Sequence, residues 1–270
     1  MTYDTLERSL YDGAPVELYE FEMGPNRWRY TSADEDQLKD GQTYSKAPLM
    51  RSKLEISEEL NRASMEIRVR RDNPVADLFR LYPPGAVVTV RIWRRHRGDA
   101  EFVLLWYGRI LNCEFSSGEA ILHSEPALTS LRRNGLRRFY QRQCPHVLYG
   151  SACRVAQSSY KVSGAVTVIS GTGIEVTEAG TFADGYFDGG LLSWGSGAGV
   201  VESRIILGHL GTVLTLAAPV AGLAVGDTVD LYPGCDHTLS TCDGRFGNAE
   251  NFGGWPYIPG KNPFNGTTIF

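Results

Sequence analysis

Residues 87–115 read VVTVRIWRRHRGDAEFVLLWYGRILNCEF. Two runs, VVTVRIWRR from Val87 and FVLLWYGRILNCEF from Phe102, are rich in β-branched and aromatic residues, and they flank RHRGDA, whose Gly98-Asp99 is a turn signal. The stretch predicts a β-hairpin. Within its second run, Cys113 falls on the same strand face as Leu111 and Phe115, which marks it as a core thiol.

The pattern continues on both sides. In VELYEFEM (16–23), Val16 and Leu18 lie on one face and Tyr19, Phe21 and Met23 on the other. Met65, Ile67 and Val69 alternate with Glu66, Arg68 and Arg70, the period of a half-buried strand. A helix is predicted over VADLFRLY after Asn73-Pro74, stopped by Pro83-Pro84. Residues 1–125 are therefore expected to form an N-terminal β region.

Past this region the composition changes twice. ALTSLRRNGLRRFYQRQC, from Ala127 to Cys144, interleaves Leu131, Leu136 and Phe139 with Arg132, Arg133, Arg137, Arg138 and Arg142, a basic connector that is helical or turn-rich. From Tyr160 to Leu231 only Lys161 and Arg204 are basic against seven acidic residues, and short β-rich runs alternate with glycine turns. That segment, 160–231, is expected to be a small antiparallel barrel or sandwich of its own. Residues 232–270 are rich in Gly, Asn, Pro and aromatics, too irregular to build a core alone, and must lie along something else.

The whole chain sets bounds on function. Its 270 residues suffice for two or three domains, and 42% hydrophobic with 21% charged residues excludes disordered and fibrous classes. A net charge of -4 argues against a protein whose main task is to hold phosphate backbones. The start, MTYDTLERSLYDG, lacks a basic region followed by an apolar run, and no apolar stretch reaches transmembrane length, so folding in a cytoplasm is expected. In that reducing compartment five cysteines are thiols or metal ligands rather than disulfides. No nucleophile elbow, P-loop, zinc-protease or dinucleotide fingerprint occurs, and nothing names a catalytic base.

Four of the cysteines form two pairs: Cys144 and Cys153, separated by eight residues, and Cys235 and Cys242, separated by six. Four thiolates can close a tetrahedral zinc site or hold an iron–sulfur cluster, and the spacing fits neither standard pattern. His146 and His237 each lie two residues after the first cysteine of a pair, so a mixed Cys/His zinc site is a further option. If all four ligate one centre, Cys153 and Cys235 must meet although 81 residues separate them. The 160–231 domain would then be inserted into a cluster-bearing region made of 126–159 and 232–270, clamped at its base, with an acidic, glycine-rich surface facing outward.

The surroundings of the second pair carry a signature: Gly234-Cys235-Asp236, Thr241-Cys242, Arg245-Phe246-Gly247-Asn248, Asn251-Phe252, Gly254 and Pro256–Gly260. In these residues the chain resembles the BR0599-like family of phage hub proteins, the tail-tip or baseplate hubs of siphophages and gene transfer agents. The resemblance is strongest over 234–260 and extends to 144–153. It implies a mainly β protein with an N-terminal hub β-barrel region, a short helical or irregular cysteine-bearing region and the inserted domain. It further implies a [4Fe-4S] cluster on Cys144, Cys153, Cys235 and Cys242, with Arg142, Arg154, Arg245, His146 and His237 around it. The expected role is non-enzymatic, in the virion at the tail tip: a homotrimer with ring contacts made by 1–125, joining a distal tail protein ring to a central fibre or tip attachment protein, with DNA only passing through the lumen. The competing readings are an iron–sulfur redox enzyme, for which no cofactor partner site is visible, and a zinc-stapled binding module.

Overall fold

The structure, a computed structural model, describes residues 3–9, 11–54, 64–132, 135, 138–196, 200–220 and 222–259. Arg133, Leu136 and Arg137 of the basic connector and Gly260 of the signature lie outside the described residues. The chain divides into two compact units, residues 1–133 with 197–202 and residues 134–196 with 203–270. No helix among the described residues is long and apolar enough to cross a membrane.

The first unit opens with a short helix, α1 (Tyr3–Glu7), followed by β1 (Pro15–Met23), β2 (Asn26–Thr31), β3 (Gln37–Lys39), β4 (Gln42–Lys46), β5 (Leu49–Arg51) and β6 (Met65–Arg70). After helix α2 (Pro74–Asp77) come β7 (Thr89–His96), β8 (Val103–Phe115) and β9 (Glu119–Pro126). These strands form one nine-stranded sheet in the order β3-β4-β2-β1-β7-β8-β9-β6-β5. The expected hairpin is the β7–β8 pair, in register at Thr89↔Arg109, Val90↔Gly108 and Arg91↔Tyr107.

Strand β1 is central and buries both faces, as its alternation requires. Tyr19, Phe21 and Met23 join Met65, Ile67, Val69, Val90, Ile92, Trp106 and Leu122 in the main core. Val16 and Leu18 pack with Tyr44 in a second cluster. The open strand order, whose end strands β3 and β5 do not pair, corrects the expectation of an N-terminal β-barrel. The sheet keeps edges at β3 and β5, and each of those strands is only three residues long, a length that limits edge-to-edge pairing.

Two local expectations change. The register of β8 against β9 shifts between Ile110 and Asn112, a bulge that takes Leu111 out of the alternation. Leu111 is therefore exposed, while Cys113 and Phe115 pack against the core and burial pushes the Cys113 thiol up to about 11. Helix α2 spans four residues rather than the whole of VADLFRLY. Asn73 caps it by accepting from Val75 N at 2.9 Å, and the chain then tightens through Phe79 N→Ala76 O (3.0 Å) and Arg80 N→Asp77 O (3.2 Å).

Glu17 is held in a partly buried cation pair. Its carboxylate accepts from Arg51 at 2.6 and 2.9 Å, from Arg94 at 2.9 Å and from the Tyr19 hydroxyl at 2.7 Å. Burial pushes its pKa up, but the hydrogen bonds from Arg51, Tyr19 and Arg94 and the charge of Arg51 outweigh this and hold it below the usual carboxylate range. A lowered folded pKa means stability that is present above the unfolded value and is lost as pH falls through the folded one. Glu17→Gln is expected to cost about 2 kcal/mol at neutral pH, the scale of charge-assisted hydrogen bonds. Urea melts at falling pH should show the gap to the parent closing once pH drops below about 4. A gap that stays constant down to acid pH would refute this account.

Strands β10 (Val162–Ser170), β11 (Gly173–Val176), β12 (Leu191–Ser196), β13 (Val200–Leu210), β14 (Val213–Leu216) and β15 (Thr228–Tyr232) close into a barrel in the order β10-β11-β14-β13-β12-β15, and all but the first three residues of β13 belong to the second unit. Its core holds Val166, Ile174, Val176, Phe187, Leu192, Trp194, Ile206, Leu214 and Leu231. Val162 at the start of β10 pairs with Leu231 near the end of β15, so the chain enters and leaves at one place. Arg204, one of the two bases of this segment, points inward, with its guanidinium 5.2 Å from the Trp194 ring and bonded to Ser203 O at 2.7 Å. On β13 the side chains of Ile205, Leu207 and Leu210 are exposed.

Candidate metal centre

Where β15 leaves the barrel, Pro233–His237 leads into α3 (Leu239–Phe246). Thr238 caps the helix by accepting from Thr241 N at 3.3 Å, and the Asp236 carboxylate accepts from Thr238 N and Oγ1 at 2.9 and 2.8 Å. The helix ends on Gly247 in the left-handed region (φ 56°), with Asn248 N bonded back to Cys242 O at 3.0 Å. This local chemistry buries Cys242 on the inner side of α3 and turns the chain toward the first cysteine pair.

The two pairs are stitched together directly. Cys144 N donates to His237 O at 2.9 Å, Asn248 Nδ2 donates to Cys153 O at 2.7 Å, and His146 Nδ1 lies 3.1 Å from Asn251 O. Cys153, Val155 and Phe246 form a small buried cluster with Leu148, Tyr149, Tyr160 and Cys235 against it. Tyr149 donates to Pro233 O at 2.7 Å and Tyr160 to Phe246 O at 3.2 Å. As a result Cys144, Cys153, Cys235 and Cys242 all border one cavity, together with His146 and His237. Their donor atoms do not converge as a finished coordination shell: among the described residues no group of three or more His, Cys, Asp or Glu side chains is drawn together tightly enough to hold a metal.

Several donors already point at sulfur. His237 N lies 3.3 Å from Cys235 Sγ, Gly253 N 3.4 Å from Cys144 Sγ, and Asn248 Nδ2 3.9 Å from Cys153 Sγ. Cys242 instead donates to Asn248 O at 3.3 Å. Burial pushes the Cys235 thiol up, opposed by the His237 amide, and pushes Cys242 up to about 11, with the neighbouring thiols adding to the effect. Sulfur is a soft metal ligand, and N–H donors to the sulfurs are what a bound thiolate centre requires. The donor set therefore fits a thiolate-bound metal or iron–sulfur centre.

The backbone here is also strained. Four non-glycine residues among those described have positive φ, and Tyr149 (62°), Arg154 (62°) and His237 (63°) are three of them. Such conformations cost on the order of 1–3 kcal/mol each and concentrate where a site over-determines the chain.

The surrounding basic residues are engaged variously. Arg142 donates to Ile258 O at 2.9 and 2.5 Å. Arg245 donates to Tyr186 O at 3.0 Å and Gly234 O at 2.5 Å and lies 4.8 Å from the Tyr186 ring, tying α3 to the barrel. Arg154 lines an open groove beside the cavity, and Arg138 lies 3.0 Å from His146 Nε2. Asn248, Asn251 and Gly253 belong to the signature or adjoin it, but nothing in their spacing announced that they hold the cysteines. A Cβ on Gly253 would sit 2.5 Å from the His146 ring, which would have to shift to admit it.

Fold and site together define a class: a β protein whose closed barrel stands on a four-cysteine base. Residues 23–156 match the family described as baseplate hub protein, N-terminal attachment domain, and residues 185–262 match phage conserved hypothetical protein BR0599. By these two matches the chain is similar to phage proteins of the baseplate-hub and BR0599 families. An uncharacterized protein of Xylella fastidiosa (strain 9a5c) is 36% identical over 117 residues, which make up 42% of this chain and 24% of that protein. The chain thus matches about a quarter of that relative's length. A chain from a structure titled virion of native gene transfer agent (GTA) particle shares the fold at a TM-score of 0.78 and 21% identity, covering 100% of this chain and 99% of its own.

Proposed function

We propose that this protein is a non-enzymatic hub of a long-tailed phage's tail tip, joining the end of the tail tube to the fibre or spike below it. It would act as a homotrimer between a distal tail protein ring and a central tip protein, with DNA passing through the lumen. Cys144, Cys153, Cys235 and Cys242 hold a [4Fe-4S] cluster that serves as a structural staple. The observation that supports the staple is that all four cysteines border one cavity at the barrel's base. A bound cluster supplies the cross-link; the chain's own residues bury it, donate N–H groups to its sulfurs and tie α3 to the barrel.

His146 and His237 border the same cavity, which favours a zinc site as the second reading. Metal and sulfide analysis of oxygen-free protein separates the two. A symmetry-resolved reconstruction of the particle tip tests the hub itself: three copies around the tail axis are expected, and a single copy off the axis would end the reading.

The staple has a proteolytic signature. Limited digestion without oxygen, with and without a chelator, is expected to open new cuts near residues 154–160 and 231–236, while the barrel between them survives because its strands satisfy one another. Cuts spread evenly through 160–231 on chelation would mean that the barrel itself depends on the metal.

A further inference from the structure

Beside the cysteine cavity, in the same unit, lies an open groove of about 810 Å3. Its walls carry Arg138 and Arg154 against one acid, Glu250, and its rim carries Phe139, Tyr140 and Trp255. Tyr140 and Trp255 are 71% and 55% exposed, with ring centroids 5.1 Å apart. Exposed Trp, Tyr and Arg gathered in a concavity are the residue types that protein interfaces concentrate at their energetic centres. The groove has a fixed shape: Trp255 N bonds Gln141 O at 2.8 Å, and a Cβ on Gly254 would lie 2.5 Å from Arg142 O. Arg154 carries its charge into it with no carboxylate partner among the described residues.

The other unit carries the complement. Asp34, Glu35 and Asp36, in the loop between β2 and β3, are three consecutive exposed acids with no ion-pair partner among the described residues. The loop is itself anchored, since Asp36 Oδ1 accepts from Lys46 N at 2.8 Å. An unmatched acidic knob on one unit and an unmatched arginine and aromatic groove on the other form a heterologous pair of surfaces, the kind that closes copies of one chain into a ring.

We propose that the groove lined by Arg138, Arg154, Tyr140 and Trp255 seats the Asp34–Asp36 loop of a neighbouring copy of this chain, making the head-to-tail contact of the ring. This rests on the homotrimer reading above. The arginines select the acidic loop and orient it, and the aromatic rim excludes water around the pairs.

The test is self-association of the full, anaerobically purified chain by sedimentation at low salt. Three forms are compared with the parent: Arg138→Glu with Arg154→Glu, the triple change Asp34→Lys, Glu35→Lys and Asp36→Lys, and all five changes together. Each charge reversal alone is expected to weaken association by roughly tenfold or more, and the combined form to recover it, an outcome that a misfolded variant cannot give. A trimeric parent whose association is untouched by either reversal overturns the groove contact and leaves the ring standing. Weakening by the groove reversal alone, with no effect of the loop reversal and no recovery, assigns the groove to a different acidic partner and overturns the proposal. A parent that stays monomeric at every concentration defeats both the contact and the ring.

Discussion

Cys242→Ser protein, purified without oxygen, is expected to be colourless and to contain almost no iron or acid-labile sulfide, whereas the parent is expected to be brown with the two in near-equal amounts. The argument starts from where Cys242 sits. It is buried on the inner side of α3, it borders one cavity with the other three cysteines, and burial raises its pKa. In the proposed staple the four cysteines would act as one site: binding free energies of closed thiolate sites are on the order of 10 kcal/mol or more, and they collapse when a ligand is removed because the remaining thiolates are left unpaired in a poorly solvated place. Cys113→Ser is the control. That thiol belongs to the sheet core of the other unit, and its loss is expected to leave metal content unchanged while costing about 1 kcal/mol of packing. Iron retained in Cys242→Ser would remove Cys242 from the ligand set. Colourless parent protein with stoichiometric zinc would replace the cluster by a zinc site on the same residues.

The sequence displays the strands of the first unit because their side chains obey a period of two. Tyr19, Phe21 and Met23 enter one core and Val16 and Leu18 the other, as their alternation requires. The departures come where tertiary pairing overrides the pattern. The bulge in β8 is set by its register against β9, and Leu111 looks like a core residue until that partner is known. Whether a sheet closes or stays open depends on whether its end strands can meet, and no local window records this. The cysteine pairs are visible as residues, but the groups that bring them together act across long separations, as Asn248 does on Cys153 over 95 residues. Their hydrogen bonds leave no periodic trace. The signature marked Asn248 and Gly234 as characteristic without saying why; the structure supplies the reason for each.

Gly234 is required by a backbone crossing. The turn ending at Gly189 and Gly190 runs against Pro233–Cys235 at the mouth of the barrel, where Gly234 N donates toward Tyr186 O at 3.4 Å and the Gly189 α-carbon faces Cys235 O. A Cβ on Gly234 would be driven deep into the carbonyl oxygen of Asp188 and within 2.5 Å of its carbonyl carbon and of Gly190 N. No side-chain rotation relieves a clash with main chain on every side. The opposing turn cannot retreat, because Gly189 N holds Ile206 O at 2.9 Å and Ile206 N holds Gly190 O at 3.0 Å, both on the barrel wall. Gly234→Ala must therefore separate the turn from β15 and shift Cys235 with it. The expected cost is about 3 kcal/mol or more, a fall of roughly 10 °C in the melting temperature of the second unit, together with reduced metal content. Gly244→Ala supplies the opposite sign. That glycine lies within α3 with nothing within 4 Å of its would-be Cβ, so alanine is expected to leave stability unchanged or raise it by up to about 1 kcal/mol. Paired thermal melts of the two variants decide the matter: equal stability in both would mean that the turn and Gly234 do not pass as closely as the structure places them.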